Sequence, residues 1–309
     1  MLASKLAGEM EAGVPAVSVV IPTRNRAGYL AVALASLARQ EMDREFEVLV
    51  VDDGSSDETA SVVRDAGVRY LRVDPARGLN AARNTGVRMT GAPLIAFLDD
   101  DVFVPPEWLR ALADGADRHP EADAFGGPIR ARFEGPTPRA CGREDPPITT
   151  LDLGPSDVDA EMVWGANMAI RRSAFERMGP FDEAVGGHGD EEDWLHALGA
   201  GGRRIVYLAG AGVDHRRAGD DARLRALARA AYHRGRAARV SDQRRGTAPG
   251  VLYEGRVLAG CAWHIVHYRC PQGAIMGAHS AGRLVQALAA GRRTRAGVGG
   301  SQNEGHGVT

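Results

Sequence analysis

The chain of 309 residues lacks several features that would assign it to a broad class. It has no run of about 18 apolar residues, so no membrane-spanning helix is expected. Its first residues lack the apolar core of a signal peptide. The three cysteines, Cys141, Cys261 and Cys270, form no C-x-x-C pair, which argues against a disulfide framework and against a thiolate zinc site. Together these absences predict a protein of a reducing compartment, the cytoplasm.

Glycine-rich phosphate loops are also missing. Neither G-x-G-x-x-G nor G-x-x-x-x-G-K-[ST] occurs, which excludes a dinucleotide-binding loop and a P-loop. Lys5 is the only lysine among the 38 Lys and Arg residues. Any phosphate groups would therefore be held by a metal ion and by arginine.

The net charge of −2 conceals two oppositely charged parts of the chain. Residues 1–202 hold 20 Lys and Arg against 34 Asp and Glu, whereas residues 203–295 hold 18 against 5. Such asymmetry indicates charged ligands or surfaces at each part.

Apolar runs alternate with helical patterns over the first hundred residues. Predicted strands are 17–21, 46–51, 68–73 and 94–98, and predicted helices are 29–37, 57–65 and 79–89, with Ser56 as the N-cap of the second helix. Because the strands are continuously apolar and separated by helices, they predict a parallel sheet covered on both faces. Ligands bind beyond the carboxyl ends of such strands.

Two of the predicted strands end directly in acidic residues. Asp52-Asp53 follows the second strand and Asp99-Asp100-Asp101 follows the fourth. Adjacent carboxylates repel one another unless a cation neutralises them, and carboxylates without His or Cys alongside favour Mg²⁺ or Mn²⁺. For the triplet, the alternative is a solvated acidic turn or a helix N-cap before Pro105. Asp52-Asp53 could instead accept a hydrogen bond from a ribose hydroxyl or a base N–H, with a turn and helix cap as the alternative. Position at the ligand-binding edge favours the metal site for the triplet.

A third acidic cluster runs from Gly189 to Trp194. A carboxylate desolvated by Trp194 and its acidic neighbours would have a raised pKa, which suits general-base catalysis. A helix N-terminus, where acids are favoured in any case, is the alternative. His215 follows a predicted strand at 205–208 and by itself indicates no ligand role.

Taken in order, these segments resemble the inverting family 2 glycosyltransferases. The resemblance covers roughly residues 17–216 and rests on motifs that match in type and order: VSVVIPTRN from Val17, VVDDGSSD from Val50, GLNAARN from Gly78, FLDDD from Phe97, WGANMAIRR from Trp164, and Phe175 to Glu183. It implies a GT-A fold, with a Rossmann-like, mostly parallel α/β sheet that has helices on both faces. Beyond the resemblance, the helical pattern after residue 216 predicts a helical C-terminal extension. It also implies inverting, metal-dependent transfer of a sugar from a UDP-, GDP- or dTDP-sugar to an acceptor hydroxyl.

The resemblance also implies which residues form the active site, when the family's motifs are matched to this sequence position by position. Those that fall where the family binds the nucleotide sugar are Pro22, Arg24, Asp53, Arg83 and Asp100. Asp101 with Asp99 would hold Mg²⁺ or Mn²⁺, and His215 would add a metal or phosphate contact.

The family's base belongs to a Glu-Asp pair, from which this sequence departs. Counting back from Arg204-Ile205 puts Asp190-Glu191 at that pair, so Glu191 is the first choice and Glu192 the second. Trp164, Asn167 and Trp194 are assigned to the acceptor side.

The resemblance and the sequence pattern on either side of it divide the chain. We expect an N-terminal tail at 1–16, the catalytic domain at 17–216, a basic helical region at 217–290 and a disordered tail at 291–309. In a predicted helix at 221–240 one stripe repeats every three or four residues: Arg225, Arg229, Tyr232, Arg236 and Arg239. This stripe is either a solvated face of a packed helix or a contact for an anionic acceptor or membrane surface, which would make the protein peripheral at the membrane.

Two other functions fit parts of the pattern. A nucleotidyltransferase would share the metal-binding acids but would not need the Gly189–Trp194 cluster, and a catalytically silent protein could keep the fold to bind nucleotide sugars. No nucleic-acid partner is expected.

Overall fold

The computed structural model describes residues 13–184 and 190–298. Residues 1–12 of the predicted tail, residues 185–189 with Gly189 of the third acidic cluster, and residues 299–309 lie outside the described part. The chain forms two compact units, one made of Met1–Glu134 and Ile148–Arg217, the other of Gly135–Pro147 and Ala218–Thr309.

The first unit alternates strands and helices, as the sequence predicted. Its strands are β1 (Val17–Thr23), β2 (Phe46–Asp52), β3 (Arg69–Arg72), β4 (Leu94–Leu98), β5 (Val102–Phe103), β6 (Ala122–Gly126), β7 (Ile129–Glu134), β8 (Val158–Asp159), β9 (Asn167–Arg171), β10 (Arg204–Tyr207) and β11, which runs Val213–Ala218. Its helices are α1 (Ala27–Leu37), α2 (Thr59–Ala66), α3 (Leu79–Met89), α4 (Trp108–Arg118), α5 (Arg172–Met178) and α6 (Asp190–Ala200).

Eight of these strands form one sheet in the order β3-β2-β1-β4-β9-β6-β10-β8. The pairings from β3 to β4 are parallel, β9 runs antiparallel between β4 and β6, and β10 is parallel to β6. A second sheet has the order β5-β11-β7. The α/β class is confirmed, with antiparallel strands added beyond β4.

Both faces of the large sheet are buried. Along β1, Val19 and Ile21 belong to one apolar cluster, whereas Val20 belongs to the other. Because successive side chains of a strand point to opposite faces, a run without polar interruptions requires cover on both sides. Helices α1, α2 and α4 contribute to the first cluster, and α3, α5 and α6 to the second.

One helix start differs from the prediction. Helix α2 begins at Thr59, not at Asp57, and Ser56 does not cap it. The Asp57 carboxylate accepts hydrogen bonds from the Thr59 N–H at 3.2 Å and from the Ala27 N–H at 2.9 Å. Asp57, one position after Ser56, therefore takes the expected capping role, and its carboxylate joins the starts of two helices.

The second unit is helical. After a 3₁₀ turn at Gly219–Ala222 come α7 (Leu224–Arg244), α8 (Val251–Tyr268) and α9 (Gly273–Val298). Glu254, which is 1% exposed, accepts Arg283 Nε at 2.9 Å and lies 3.3 Å from Arg239 Nη1, so an ion-pair network connects the three helices. Within the described residues, no helix is both long enough and apolar enough to cross a membrane.

The predicted arginine stripe does not form one continuous solvated face. Arg239 is buried against Glu254 and the Pro249 carbonyl, and Arg236 donates to Gln286 Oε1 at 3.2 Å. Arg225 and Arg229, in the N-terminal half of the stripe, are exposed. The predicted helix is correct, but residues of the two helices that follow it contact the C-terminal end of the stripe.

Candidate active site

The strand order brings the acidic triplet to the carboxyl edge of the large sheet. Strand β4 ends one residue before Asp99 and pairs in parallel with β1, which pairs in parallel with β2. The carboxyl ends of these strands therefore meet. Thr23, the last residue of β1, donates a 2.7 Å hydrogen bond to Asp100 Oδ2. This bond connects the ends of β1 and β4 directly.

Asp100 is a buried carboxylate close to an arginine. Arg26 Nε lies 3.2 Å from Asp100 Oδ1. Burial raises the pKa of Asp100 to about 7, although the Arg26 charge acts in the opposite direction. Asp100 therefore binds a proton more readily than an ordinary aspartate does.

The second sheet carries two basic side chains to Asp101. Strand β5 begins directly after Asp101, and its antiparallel pairing with β11 sets His215 opposite Val102. His215 Nε2 then lies 3.4 Å from Asp101 Oδ1, and Arg217 donates to Oδ2. The backbone N–H of Arg216 also donates to the Asp101 carbonyl at 2.8 Å. A short strand pairing thus joins residues more than a hundred positions apart.

These neighbours determine the charge of Asp101. Burial by itself would raise its pKa, but His215, Arg217 and Arg26 together hold the pKa of this carboxyl well below its usual range. Arg26 Nη2 lies 2.8 Å from Asp101 Oδ2. His215 Nδ1 lies 3.0 Å from the Thr149 carbonyl, which can only accept a hydrogen bond, so Nδ1 carries a proton. Asp101 is ionised, and His215 presents Nε2 to it.

A second charged group lies deeper in the same unit. Arg83 is 1% exposed, and its Nη1 donates to Glu191 Oε2 at 3.0 Å while Nη2 lies 3.6 Å from Asp99 Oδ1. The Gly165 N–H donates to Glu191 Oε1 at 3.0 Å. Arg83 therefore connects the acidic triplet to the third acidic cluster.

Two opposing effects act on the pKa of Glu191. Burial would raise the pKa, but the charge of Arg83 and the backbone hydrogen bonds outweigh it and lower the pKa, so the raised pKa expected from the sequence is wrong for Glu191. For Asp99, about a third of whose side chain is exposed, burial prevails over the attraction of Arg83 and the pKa is raised.

Helix α6 points Glu191 inward. Trp194, Leu195 and Leu198 form its buried face, and Glu191 precedes them by three, four and seven residues. Residues at these spacings share one side of a helix. Glu192, one position on, is half-buried. The side chain of Asp190 lies outside the described part.

The end of β2 organises the loop before α3. Asp53 accepts the backbone N–H groups of Arg77 at 2.6 Å and Gly78 at 2.9 Å, and it lies 3.9 Å from Arg24 Nη1. The Arg24 side chain is 58% exposed, whereas Pro22 is buried in β1. Asp53 thus holds the backbone of the loop before α3 in place, and the exposed Arg24 side chain is accessible to a ligand.

The three residues assigned to the acceptor side lie in different surroundings. Asn167 is fully buried: its Oδ1 accepts Trp108 Nε1 at 2.9 Å and its Nδ2 donates to the Ala211 carbonyl at 2.8 Å. Trp194 packs on aromatic rings and donates to the Gly179 carbonyl. Trp164 is half-buried. The contacts of Asn167 and Trp194 stabilise the core, so only Trp164 enters our proposal for the acceptor.

Four residues of the site were not singled out from the sequence. They are Thr23, Arg26, Gly165 and Arg217. Thr23 and Arg26 lie within or beside the VSVVIPTRN motif, which was the only available signal for them. Arg217 lies two residues after His215 and reaches Asp101 only because a strand continues through both.

Comparison with known proteins assigns the family. A sequence model of "Glycosyl transferase family 2" matches residues 18–179, just over half of the chain. The chain belongs to glycosyl transferase family 2. The predicted family is thereby confirmed.

Curated relatives of this family 2 chain match only in part. Validoxylamine A glucosyltransferase of Streptomyces hygroscopicus subsp. jinggangensis (strain 5008) is 33% identical over an alignment of 210 residues, and the match covers 58% of this chain and 50% of that protein. Pre-mycofactocin glycosyltransferase of Mycobacterium tuberculosis (strain CDC 1551 / Oshkosh) is 32% identical over an alignment of 256 residues, and the match covers 79% of this chain and 51% of that protein. The chain spans about half the length of these two relatives.

Solved structures agree on the fold. The mannosyltransferase PcManGT of Pyrobaculum calidifontis, determined with GDP-Man and Mn²⁺, is 20% identical with a TM-score of 0.53. The match covers 92% of this chain and 76% of the PcManGT chain. GalNAc-T7, determined with UDP, GalNAc and Mn²⁺, is 15% identical with a TM-score of 0.54. The match covers 74% of this chain and 48% of the GalNAc-T7 chain. The family 2 chain therefore has the GT-A fold that the sequence predicted.

Proposed function

We propose that this chain transfers a sugar from a nucleoside diphosphate sugar to an acceptor hydroxyl, with a divalent cation and with inversion at the anomeric carbon. One observation carries the proposal: Arg83 connects a buried carboxylate, Glu191, to an acidic triplet at the carboxyl ends of parallel strands. Family membership supports sugar transfer. Two GT-A structures of this fold were determined with Mn²⁺ and either a nucleotide or a nucleotide sugar, which supports the choice of donor.

The residues around Asp101 fit a divalent cation. Asp101 Oδ1 and His215 Nε2 lie 3.4 Å apart, close to the roughly 3 Å that separates neighbouring ligands on an octahedral Mg²⁺ or Mn²⁺. Because Nδ1 lies against the Thr149 carbonyl, Nε2 is the ring nitrogen that would bind the cation. Asp99, partly exposed, adds a second carboxylate. Bound there, the cation would stabilise negative charge on the departing diphosphate.

Arginines supply the remaining positive charge for the donor. Arg26 and Arg217 both contact Asp101, and Arg24 is exposed at the end of β1. We assign the nucleotide-sugar contacts to Pro22, Arg24, Asp53, Arg83 and Asp100. In this set Asp53 also orders the loop that begins α3 through its two backbone hydrogen bonds.

Glu191 is our proposed base, and Glu192 is the alternative. A base must be ionised before it can accept a proton, and the lowered pKa of Glu191 keeps it ionised near neutral pH. It takes the acceptor proton as the hydroxyl oxygen bonds to the anomeric carbon and the bond to the diphosphate breaks. Arg83 and Gly165 orient the Glu191 carboxylate. We assign Trp164, the residue before Gly165, to the acceptor side.

The experiment measures the product with a panel of UDP-, GDP- and dTDP-sugars and Mn²⁺ or Mg²⁺. Validoxylamine A is one acceptor in the panel because a relative is named for it. Free nucleoside diphosphate that requires the cation, together with a product of inverted anomeric configuration, is expected. Pyrophosphate would indicate nucleotidyl transfer instead, and binding without either product would indicate a silent binding protein.

Matched variants test the assignment of the base. Glu191→Gln keeps the shape of the side chain and should lower kcat with little change in donor affinity. Glu192→Gln, one position along the same helix, is the control and should retain activity. The reverse result would move the base to Glu192.

A further inference from the structure

Four potential metal ligands converge within the second unit, apart from the proposed donor site. They are Cys141, Glu144, His264 and Cys270, whose ligand atoms all lie within 4.8 Å of one another. From the sequence, the absence of a C-x-x-C pair argued against a thiolate zinc site. The fold nevertheless brings together two cysteines that are more than a hundred residues apart in the sequence.

The local geometry explains this convergence. Gly142 adopts a left-handed conformation with φ of +78°, and the turn lets the Cys141 N–H donate to Glu144 Oε1 at 3.0 Å. Arg269 ends α8 with φ of +49°, which is uncommon for a residue with a side chain. Cys270 follows it directly. One turn therefore presents Cys141 with Glu144, and the end of one helix presents His264 with Cys270.

The distances suit a tetrahedral ion. With Zn–S bonds of about 2.3 Å and Zn–N or Zn–O bonds of about 2.0 Å, ligand atoms on a tetrahedron lie about 3.3–3.8 Å apart. Cys141 Sγ lies 3.4 Å from His264 Nε2, Cys270 Sγ 3.4 Å from Glu144 Oε1, and His264 Nε2 3.7 Å from Glu144 Oε2. The Cys141 Sγ–Glu144 Oε2 distance of 2.8 Å is a hydrogen bond that the ion would replace.

The donor set selects the metal. Two thiolates and an imidazole favour Zn²⁺ over Mg²⁺ or Mn²⁺, which prefer oxygen ligands. Four protein ligands leave no open position, as in structural zinc sites. Cys270 is 2% exposed and the Glu144 side chain 2% exposed, whereas Cys141 is exposed. The site is therefore mostly enclosed but reachable by a chelator.

We propose that Cys141, Glu144, His264 and Cys270 bind one structural Zn²⁺, which fastens the segment Gly135–Pro147 to the end of α8. Binding replaces the two thiol protons, which are released to the buffer. The segment already has other attachments in this unit, since Gln272 Nε2 donates to the Pro138 carbonyl and Arg234 Nη2 to the Pro147 carbonyl. The ion would fix the stretch between these two attachments.

The experiment measures zinc in the full chain, purified without chelator and dialysed against metal-free buffer, by mass spectrometry of the metal. One Zn²⁺ per chain is expected. Cys141→Ser and Cys270→Ser should each lose most of it. Cys261→Ser is the matched control because Cys261 lies near Ser280 and outside the ligand set, so it should keep the metal. Asp99→Asn should also keep it, which separates this site from the donor site.

Cobalt gives a second measurement that needs no variant. Co²⁺ added to the metal-free wild-type chain should produce a thiolate-to-cobalt charge-transfer band and the visible absorption of a tetrahedral ion, and Zn²⁺ should abolish both. The proposal is overturned if wild-type zinc content equals that of Cys270→Ser, or if cobalt gives no thiolate band. A Cys141–Cys270 disulfide in freshly isolated protein, detected by differential alkylation, would also overturn it.

Discussion

Arg83 shows how a single side chain can join two parts of an active site. Its guanidinium lies between Glu191 and Asp99 in a position that is almost fully closed to solvent. The space for it depends on Gly165, because a Cβ at that position would overlap Arg83 Nη2 and would lie 3.0 Å from Glu191 Oε1. Gly165 is therefore required by the close approach of an ion pair.

Gly165→Ala should displace Arg83 and Glu191 while the fold is kept. A displacement of about 1 Å can cost on the order of 10²-fold in rate, and we expect a loss of that size in kcat/KM. Gly199→Ala is the control, since a Cβ there meets nothing within 4 Å on the exposed side of α6. Steady-state kinetics with circular dichroism provide the measurement. Unchanged activity in Gly165→Ala would contradict the proposed role of this ion pair.

At the scale of elements, β6 contains a charged residue in an otherwise apolar strand. Asp123 is 2% exposed and is bound by Arg177, at 2.6 Å, and by Arg203. Burial would raise the pKa of Asp123, but these two arginines outweigh it and lower the pKa below the ordinary 3.8. Asp123 thus connects β6 to α5 and to the start of β10.

Asp123→Asn should lower the free energy of unfolding by about 1–3 kcal/mol near neutral pH, since it weakens two charge-assisted hydrogen bonds. The folded-state pKa lies below the unfolded value, so this stabilisation is present above pH 3.8 and is lost as pH falls through the folded value. Urea unfolding at several pH values should show the difference between wild type and variant shrinking in acid. A difference that grows in acid would contradict the assignment.

Close packing of α7 on α9 depends on two glycines. A Cβ at Gly235 would overlap the His279 carbonyl, and a Cβ at Gly282 would overlap the Tyr232 carbonyl. Neither obstacle is a flexible side chain, so the helices themselves would have to separate.

Gly282→Ala should therefore destabilise the second unit by about 1–3 kcal/mol, the usual cost of overpacking, although alanine is the better helix former. Gly255→Ala in α8 is the matched control because a Cβ there meets nothing within 4 Å, and it should be neutral or stabilising. Thermal unfolding followed by circular dichroism measures both. Equal midpoints for the two variants would show that the helices tolerate separation.

Many of the helices and strands of the first unit could be predicted from the sequence alone. Both α3 and β4 have the predicted boundaries, because an apolar run or a helical period extends through each. Strands β5 and β11 were missed. The first has two residues and the second reads VDHRRA, so neither shows an apolar pattern, yet their pairing brings His215 to Asp101. Pairing between distant segments leaves no local signal.

At the scale of the whole molecule, the two units carry the opposite charges seen in the sequence. The first unit contains the carboxylates of the proposed donor site. In the second, Arg283 and Arg239 are paired with Glu254, and Arg283 also with Asp242. Part of the basic excess therefore stabilises contacts among helices.

Donor and cation together should stabilise the chain against heat. A ligand at 100 times its Kd adds about 2.7 kcal/mol to the free energy of unfolding, so the cognate nucleotide sugar with Mn²⁺ should raise the midpoint measurably. Removing Mn²⁺ should abolish most of the shift, and Asp99→Asn should reduce it. A shift of the same size without a divalent cation would contradict metal-assisted donor binding.

The sequence by itself determined the alternation of strands and helices, the acids at the strand ends and the family, because each depends on residues that are close together in the chain. Only the tertiary structure decided which charges meet. His215 and Arg217 reach Asp101 through a strand pairing, Arg83 reaches Glu191 across 108 positions, and Cys141 meets Cys270 through two turns. Electrostatic and coordination contacts depend on distances of a few ångströms in space, and separation along the chain does not encode those distances.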